Sequence, residues 1–374
     1  MNYHFRNRSG WLGNPCAIAQ FRGKYHAFFQ HNPHSERFGS MHWGHCVSSD
    51  LIMWEEMPTA LSPDCDYEDL LGCMSGSAIV ADGKLWLFYT SVSRGYSETV
   101  SAAYSDDAVN FTKYPGNPVL YPPATVSCAG NECHYSKFRD PYVFAFEGEY
   151  RMLVGAGDSN VAKVLLFRSG NLTDWEFLGE LISDAGLGSV AESPAIFRLE
   201  DRWVLMLQSE RHLPSRILFA TGYFDGTKMR FDSEPECSRN GAGSCSDPDY
   251  KVIETGEEFL KPVSFEDSLG RRLITGWLYS SRLGGSSAMA CFRELSFDLD
   301  NLLIMLPADE IIGFGVDESR FVSYSDGRLR VSYEGRTVFS EAFAYEPQLT
   351  VLEDVGTVEI FINGGHEVIS LFVC

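Results

Sequence analysis

The chain has 374 residues, 44% hydrophobic and 22% charged, an ordinary globular balance that can bury a sizeable core. Its 51 acidic residues against 30 basic ones give a formal charge of −21, a field that repels phosphate backbones and anionic lipid. Nucleic acid and membrane surfaces are therefore excluded as expected partners. With no basic cluster visible along the chain, a neutral small molecule fits better than an anionic one.

Residues 1–10 form a polar stretch without the apolar run of a signal peptide, and nowhere do about 18 apolar residues follow one another. The expected location is cytoplasmic, or secreted if a signal has already been removed. The ten cysteines include no CxxC pair. Cys128 with Cys133, and Cys237 with Cys245, are close pairs in Gly/Ser/Asn-rich loops. Reduced thiols are expected, with a loop disulfide as the alternative, and no spacing suits zinc. No metal and no cofactor are expected. Aromatic residues make up 13% of the chain; most are expected in a β-core, and a few on sugar faces.

From residue 23 onward one phrase recurs: a charged tight turn, then an apolar strand rich in aromatics. It reads GKYHAFFQHNP from Gly23, GKLWLFYTSVS from Gly83, GEYRMLVGAGD from Gly148, DRWVLMLQSE from Asp201 and RRLITGWLYS from Arg271. The five copies lie 53 to 70 residues apart. A second phrase falls between them, a Ser/Asp turn with an aromatic three or four residues later, from Ser48, Ser105 and Ser169. Helical periodicity is nearly absent. Several short strands per unit at this period predict propeller blades, and a sandwich is the weaker alternative. The expected fold is all-β: a five-bladed β-propeller over residues 1–305, then a small, shortened C-terminal β-sandwich-like unit over residues 318–374. Asn363-Gly364-Gly365 between two apolar runs predicts a closing hairpin.

Three segments place a polar residue just before a proline and an apolar strand: Trp11-Leu12-Gly13-Asn14-Pro15, Arg139-Asp140-Pro141 and Ala191-Glu192-Ser193-Pro194. Proline stiffens the start of a strand and fixes the side chain preceding it. Singly, an Asp-Pro is most often a turn and a lone glutamate a solvated surface acid. Three such segments at matching places in different blades point to an axial funnel where they meet.

These segments closely resemble glycoside hydrolase family 32, the β-fructosidases that include invertases, inulinases and levanases. Residues 23–61 resemble the family's first blade, MSGSAIV from Met74 its Phe-Ser-Gly-Ser segment, KFRDPYVF from Lys137 its Arg-Asp-Pro motif and AESPAIFRL from Ala191 its Glu-Cys-Pro motif. VEIFINGG from Val358 resembles a signature of its C-terminal sandwich. The resemblance implies a retaining double displacement by two carboxyl groups about 5 Å apart. It makes Glu192 the general acid/base, whose proton donation needs a pKa raised by burial and nearby acids. Asp140 becomes the transition-state stabiliser, with Arg139 orienting that carboxylate. Trp11, Gln30, Phe38, Met74 and Ser75 would line a fructose pocket, with a thinner aromatic wall because Phe38 and Met74 replace a usual Trp and Phe. The implied substrates are sucrose, fructo-oligosaccharides or fructans.

The nucleophile position falls on Asn14, whose neutral amide cannot form the covalent ester in the normal way. Deamidation is no rescue, since Pro15 has no backbone N–H to attack it. Three accounts stay open: a nucleophile-to-amide variant that traps substrate, a fructoside-binding pseudoenzyme, or a nucleophile elsewhere among Asp64, Asp66, Glu68 and Asp69. A propeller acting on arabinosides or xylosides is a weaker alternative. His42 and His45 are expected to be structural, the acidic stretch 64–69 a solvated loop, and residues 284–287 a loop at the funnel mouth. The short C-terminal unit would leave apolar surface that a second copy covers, so a homo-oligomer is an open expectation.

Overall fold

The computed structural model describes residues 3–94, 97–123, 137–158, 160–211, 216–232, 248–283 and 286–373. Both close cysteine pairs, and Gly284-Gly285 of the glycine-rich loop, lie outside these residues.

The recurring turn-and-strand phrase is the hairpin joining the first two strands of a sheet. At Arg22-Gly23, Asp82-Gly83 and Glu147-Gly148 both central residues have positive φ, between 48° and 81°, as two-residue hairpins require if their twist is to match the flanking strands. The second phrase links a third strand to a fourth. Asp50, Asp107 and Asn171 each accept backbone N–H bonds from residues two and three further on, at 2.8 to 3.0 Å. The following aromatic then folds back: the Trp54 and Trp175 indoles donate to the carbonyls of Leu51 and Leu172.

Among the described residues the strands form seven antiparallel sheets. Five of them have four or five strands, each in meander order with local additions. Their first strands are Trp11–Phe21, Gly72–Ala81, Lys137–Phe146, Ala191–Leu199 and Phe259–Glu266. Each first strand packs on the first strand of the next sheet, and the fifth returns to the first, closing a ring. The buried apolar residues lie between neighbouring sheets, as Phe28, Trp43, Leu85, Leu87 and Tyr89 do between the first two.

After the short helix Asp309–Ile312 come two three-stranded sheets. The last hairpin joins Thr357–Ile362 to Glu367–Phe372 through Asn363-Gly364-Gly365, all at positive φ. Leu329, Val331, Val358, Ile360 and Ile369 form the core these two sheets share. No helix among the described residues is long and apolar enough to cross a membrane.

The opening stretch needs correction: polar in composition, it nonetheless buries Tyr3, His4 and Phe5. His4 is held by Asp354 and Glu359 at 3.1 and 2.6 Å. Glu359 in turn meets Arg293 of the fifth sheet at 2.6 Å, and Arg293 also binds Glu254 and Ser370 at 2.6 Å. This buried ionic cluster ties three parts of the chain together. His45 Nε2 hydrogen-bonds His26 Nδ1 at 3.0 Å in the first sheet's interior, and His42 Nδ1 hydrogen-bonds the Ser40 carbonyl.

Candidate active site

Every first strand is bulged near its start, with two of its residues facing one on the second strand. The pairs are Gly13-Asn14 facing Gln30, Met74-Ser75 facing Thr90, Asp140-Pro141 facing Val154, Ser193-Pro194 facing Leu207, and Lys261-Pro262 facing Gly276. A bulge re-aims its side chain out of the ladder. In three sheets the first bulged residue is a non-glycine at left-handed φ: Asp140 at 56°, Ser193 at 47° and Lys261 at 47°. Such backbone costs of order 1–3 kcal/mol and survives only where its surroundings hold it.

Those surroundings are a chain of hydrogen bonds crossing each junction between sheets. Ser75 Oγ accepts from Asn14 Nδ2 and Gln30 Nε2, both at 3.0 Å. Thr90 Oγ1 donates to the Ser75 carbonyl and accepts from Asp140 N. Asp140 Oδ2 accepts from Ser193 N at 2.8 Å. Gln208 donates to Glu192 and accepts from Lys261 N. Ser287 Oγ accepts from the Trp277 indole and donates to the Leu12 carbonyl, returning to the first strand. Asn14, Ser75, Asp140, Arg139 and Glu192 thus share one end of the ring.

Asn14 is buried, and its Nδ2 also donates to the Pro15 carbonyl at 2.8 Å. That carbonyl only accepts, which fixes which end of the amide faces it. Trp11 meets Phe38 edge-on at 5.5 Å and Trp277 at 5.8 Å, and Trp277 stacks on Tyr279 at 4.4 Å. The rim is therefore thicker in aromatics than Phe38 and Met74 alone suggest. Met74 lies beneath, its sulfur 3.9 Å from Gln30 Nε2.

Two expectations about charge are overturned. Arg139 does not hydrogen-bond Asp140; it is forked between Glu98 and Glu192 Oε1, the latter at 3.3 Å. Nor is Glu192 surrounded by acids. Lys261 Nζ lies 2.7 Å from Glu192 Oε2 and 3.3 Å from Asp140 Oδ2. Burial pushes the Glu192 carboxyl up, but Lys261, Arg139 and Lys137 outweigh it, and the net shift is downward. The basic cluster absent from the sequence is assembled by the fold, from three residues up to 124 positions apart.

Sequence reading missed Lys261, Glu98, Gln208 and Trp277. Lys261-Pro262 carries the same X-Pro signal as the other three segments, but a cation fits neither role of a carboxylate pair. Glu98, Gln208 and Trp277 sit on second and third strands with no local signal. Among the other acids considered, Asp64 and Glu68 pair with Lys113, Glu68 also binds the Tyr89 hydroxyl, and Asp69 pairs with Arg94. Asp64, Cys65 and Glu68 lie close enough to share a cation, yet the Lys113 ammonium already occupies that cluster.

A cavity of about 610 Å³ continues from Ser75, Asp140 and Ser193 along the first strands toward Gln20, Arg198 and Arg272. Glu192, Arg139, Lys261 and Trp11 are not in its walls. The polar cluster adjoins this space through Ser75, Asp140 and Ser193.

The sequence pattern of the glycosyl hydrolases family 32 N-terminal domain matches residues 4–305, and the chain belongs to that family. The chain is 32% identical over 326 residues to the sucrose-6-phosphate hydrolase of Escherichia coli, covering 83% of this chain and 64% of that protein. It is 33% identical over 306 residues to the levanase of Bacillus subtilis, covering 74% of this chain and 40% of the relative. The chain thus spans well under two thirds of the levanase and just under two thirds of the hydrolase. Among solved structures, the Bombyx mori β-fructofuranosidase BmSUC1 superposes with a TM-score of 0.80 at 23% identity, over 99% of this chain and 88% of that one. The sucrose-6-phosphate hydrolase of Lactobacillus gasseri gives 0.80 at 20% identity, over 100% and 88%.

Proposed function

We propose that the chain carries a retaining β-fructofuranosidase-type site for terminal β-D-fructofuranosyl units of sucrose or fructo-oligosaccharides, disabled by the amide at Asn14. In this reading the ring of five sheets is a five-bladed propeller over residues 1–305, followed by a small sandwich-like unit over residues 318–374. The observation that carries it is the convergence of Asn14, Asp140 and Glu192 on one end of the ring, inside a continuous hydrogen-bonded frame. The relatives named as sucrose-6-phosphate hydrolase and levanase support a fructoside as the ligand.

Glu192, between two cations, would protonate the glycosidic oxygen of a bound fructoside. Asp140, rigid on Ser193 N, would stabilise positive charge developing at the anomeric carbon. Trp11, Phe38, Met74, Gln30, Ser75 and Arg139 would shape the sugar pocket. The attacking carboxylate that the double displacement needs has its place at position 14, and an amide there stops the first step.

A second reading, a fructoside-binding protein without turnover, is favoured by the Asn14 hydrogen bonds. The Nδ2 faces the Pro15 carbonyl, a position an unprotonated aspartate oxygen would find repulsive. Sucrose and 1-kestose assays on this chain and on Asn14→Asp separate the readings. Fructose release faster by several orders of magnitude in the Asp form supports the disabled enzyme. Binding by both forms with turnover by neither supports the binder. Full activity of the Asn form would sink the assignment of position 14.

A further inference from the structure

We propose that Lys261 is a positioning residue that sets the protonation state of Glu192: its ammonium, bridging Glu192 and Asp140, holds Glu192 as a carboxylate until a ligand displaces it. The inference rests on the reading of Glu192 as proton donor, and it goes beyond that reading by naming what controls the proton.

The geometry is specific. Lys261 sits in the fifth bulge at φ 47°, its backbone N–H fixed by Gln208 Oε1 at 2.9 Å. Its side chain is largely buried and runs to Glu192 Oε2 at 2.7 Å and Asp140 Oδ2 at 3.3 Å. Other groups face Glu192 from each neighbouring element. Arg139 of the third sheet touches Oε1, and Lys137 of the same strand adds a more distant positive charge. Gln208 of the fourth sheet donates to Oε2. The neighbouring acids Glu98 and Glu210 are paired with Arg139 and Lys137. Lys261 is thus the cation in closest contact, and among the described residues it is the one that ion-pairs with both Glu192 and Asp140.

The chemical consequence is definite. To cleave a fructoside, Glu192 must give up an O–H proton to the glycosidic oxygen as the bond to the anomeric carbon breaks, its electron pair going to that oxygen. A carboxylate paired with an ammonium has no such proton. A ligand that pushes the ammonium off Glu192 removes the strongest local stabilisation of the anion and restores a carboxyl able to donate.

The test is the ¹³C titration of the Glu192 carboxyl, assigned by its disappearance in Glu192→Gln. It is run on this chain, on Lys261→Met and on Lys261→Arg. Met keeps the unbranched length and the same backbone demands without the charge; Arg keeps the charge. In the unaltered chain the midpoint is expected below the ordinary glutamate value of about 4.3. It should rise by about one pH unit or more in Lys261→Met and stay low in Lys261→Arg. A midpoint at or above the ordinary value in the unaltered chain overturns the proposal without any variant, and so does an unmoved midpoint in Lys261→Met.

The same substitution in the Asn14→Asp background should carry the alkaline limb of kcat/KM on sucrose to higher pH. If the titration shifts but no Asn14→Asp protein turns over, Lys261 acts as described and the assignment of position 14 has failed. If Asn14→Asp is active and its limb ignores Lys261, the failure lies with Lys261.

Discussion

Arg139 serves two acids with one guanidinium. It holds Glu98, whose other hydrogen bond comes from Phe138 N, and it reaches Glu192. Replacing it by leucine leaves Glu98 mostly buried without its cation, and hydrogen bonds to charged groups carry about 1.5–3 kcal/mol each. Arg139→Leu should therefore lower stability by about 2 kcal/mol in urea unfolding. Arg139→Lys should recover only part of that, because an ammonium lacks the planar fork that meets both oxygens of Glu98 while reaching Glu192. Equal stability of the Lys form and the parent would show that the fork is not used. The motif Arg139-Asp140 was legible in the sequence, but not what Arg139 touches, since Glu98 and Glu192 lie 41 and 53 positions away. The same distance in sequence hid the charge environment of Glu192: the carboxyl was recognisable, its ammonium neighbour was not.

At the scale of the strand, the same bulge appears five times, and its residues decide what projects at that end of the ring. Proline follows the projecting residue in four sheets, and Gly76 follows Ser75 in the other. Gly76 is there for space: a Cβ would lie 1.8 Å from the Phe88 carbonyl oxygen. Gly76→Ala should cost about 3 kcal/mol through that backbone overlap. Gly83 has φ 74° but open space around it, so Gly83→Ala should lose only about 1 kcal/mol, the strain of left-handed backbone on an L-residue. Matched thermal melts of the two variants check the order, and a larger loss at Gly83 would contradict it. The hairpin turns and the Ser-x-Asp turns were readable because each is satisfied within three or four residues. The bulge was readable in three of the five sheets, where an amide or carboxyl residue precedes a proline directly or after one residue; the cationic Lys261 escaped.

For the whole molecule, the joint between the fifth sheet, the opening segment and the last sheet is ionic and buried. Arg293, Glu359 and His4 have no side-chain exposure. A buried pair is weak evidence of net stability, yet removing one partner strands the other, at about 3–5 kcal/mol. Arg293→Met should unfold at markedly lower denaturant, and Arg293→Met with Glu359→Leu should lose less than the single change. A double variant weaker than the single one would refute this.

The joint also has a pH signature. For His4, burial lowers the pKa, but hydrogen bonds to Asp354 and Glu359 outweigh it, and the net shift is upward from 6.5. Its contribution is fully present below that ordinary value and lost as pH rises through the higher folded one. For Asp354, burial raises the pKa but bonds from His4 and Val355 N bring it down to about 2 from 3.8. That contribution is present above 3.8 and lost as pH falls toward about 2. Melting temperature should therefore be highest in mildly acidic solution, and His4→Gln should flatten the decline on the alkaline side. An alkaline slope identical in both proteins would exclude His4 as its source.

By itself the sequence determined the all-β class, the turns, the spacing of the sheets and the three segments that carry Asn14, Asp140 and Glu192. All of these are written in contacts between near neighbours, where periodicity and turn chemistry act directly. Only the tertiary structure decided which charges meet: Lys261 between Asp140 and Glu192, Arg139 on Glu98, and the opening residues under the last sheet. Electrostatic partners are chosen by distance in space, and closing a ring of five sheets sets those distances without leaving a mark on any one segment.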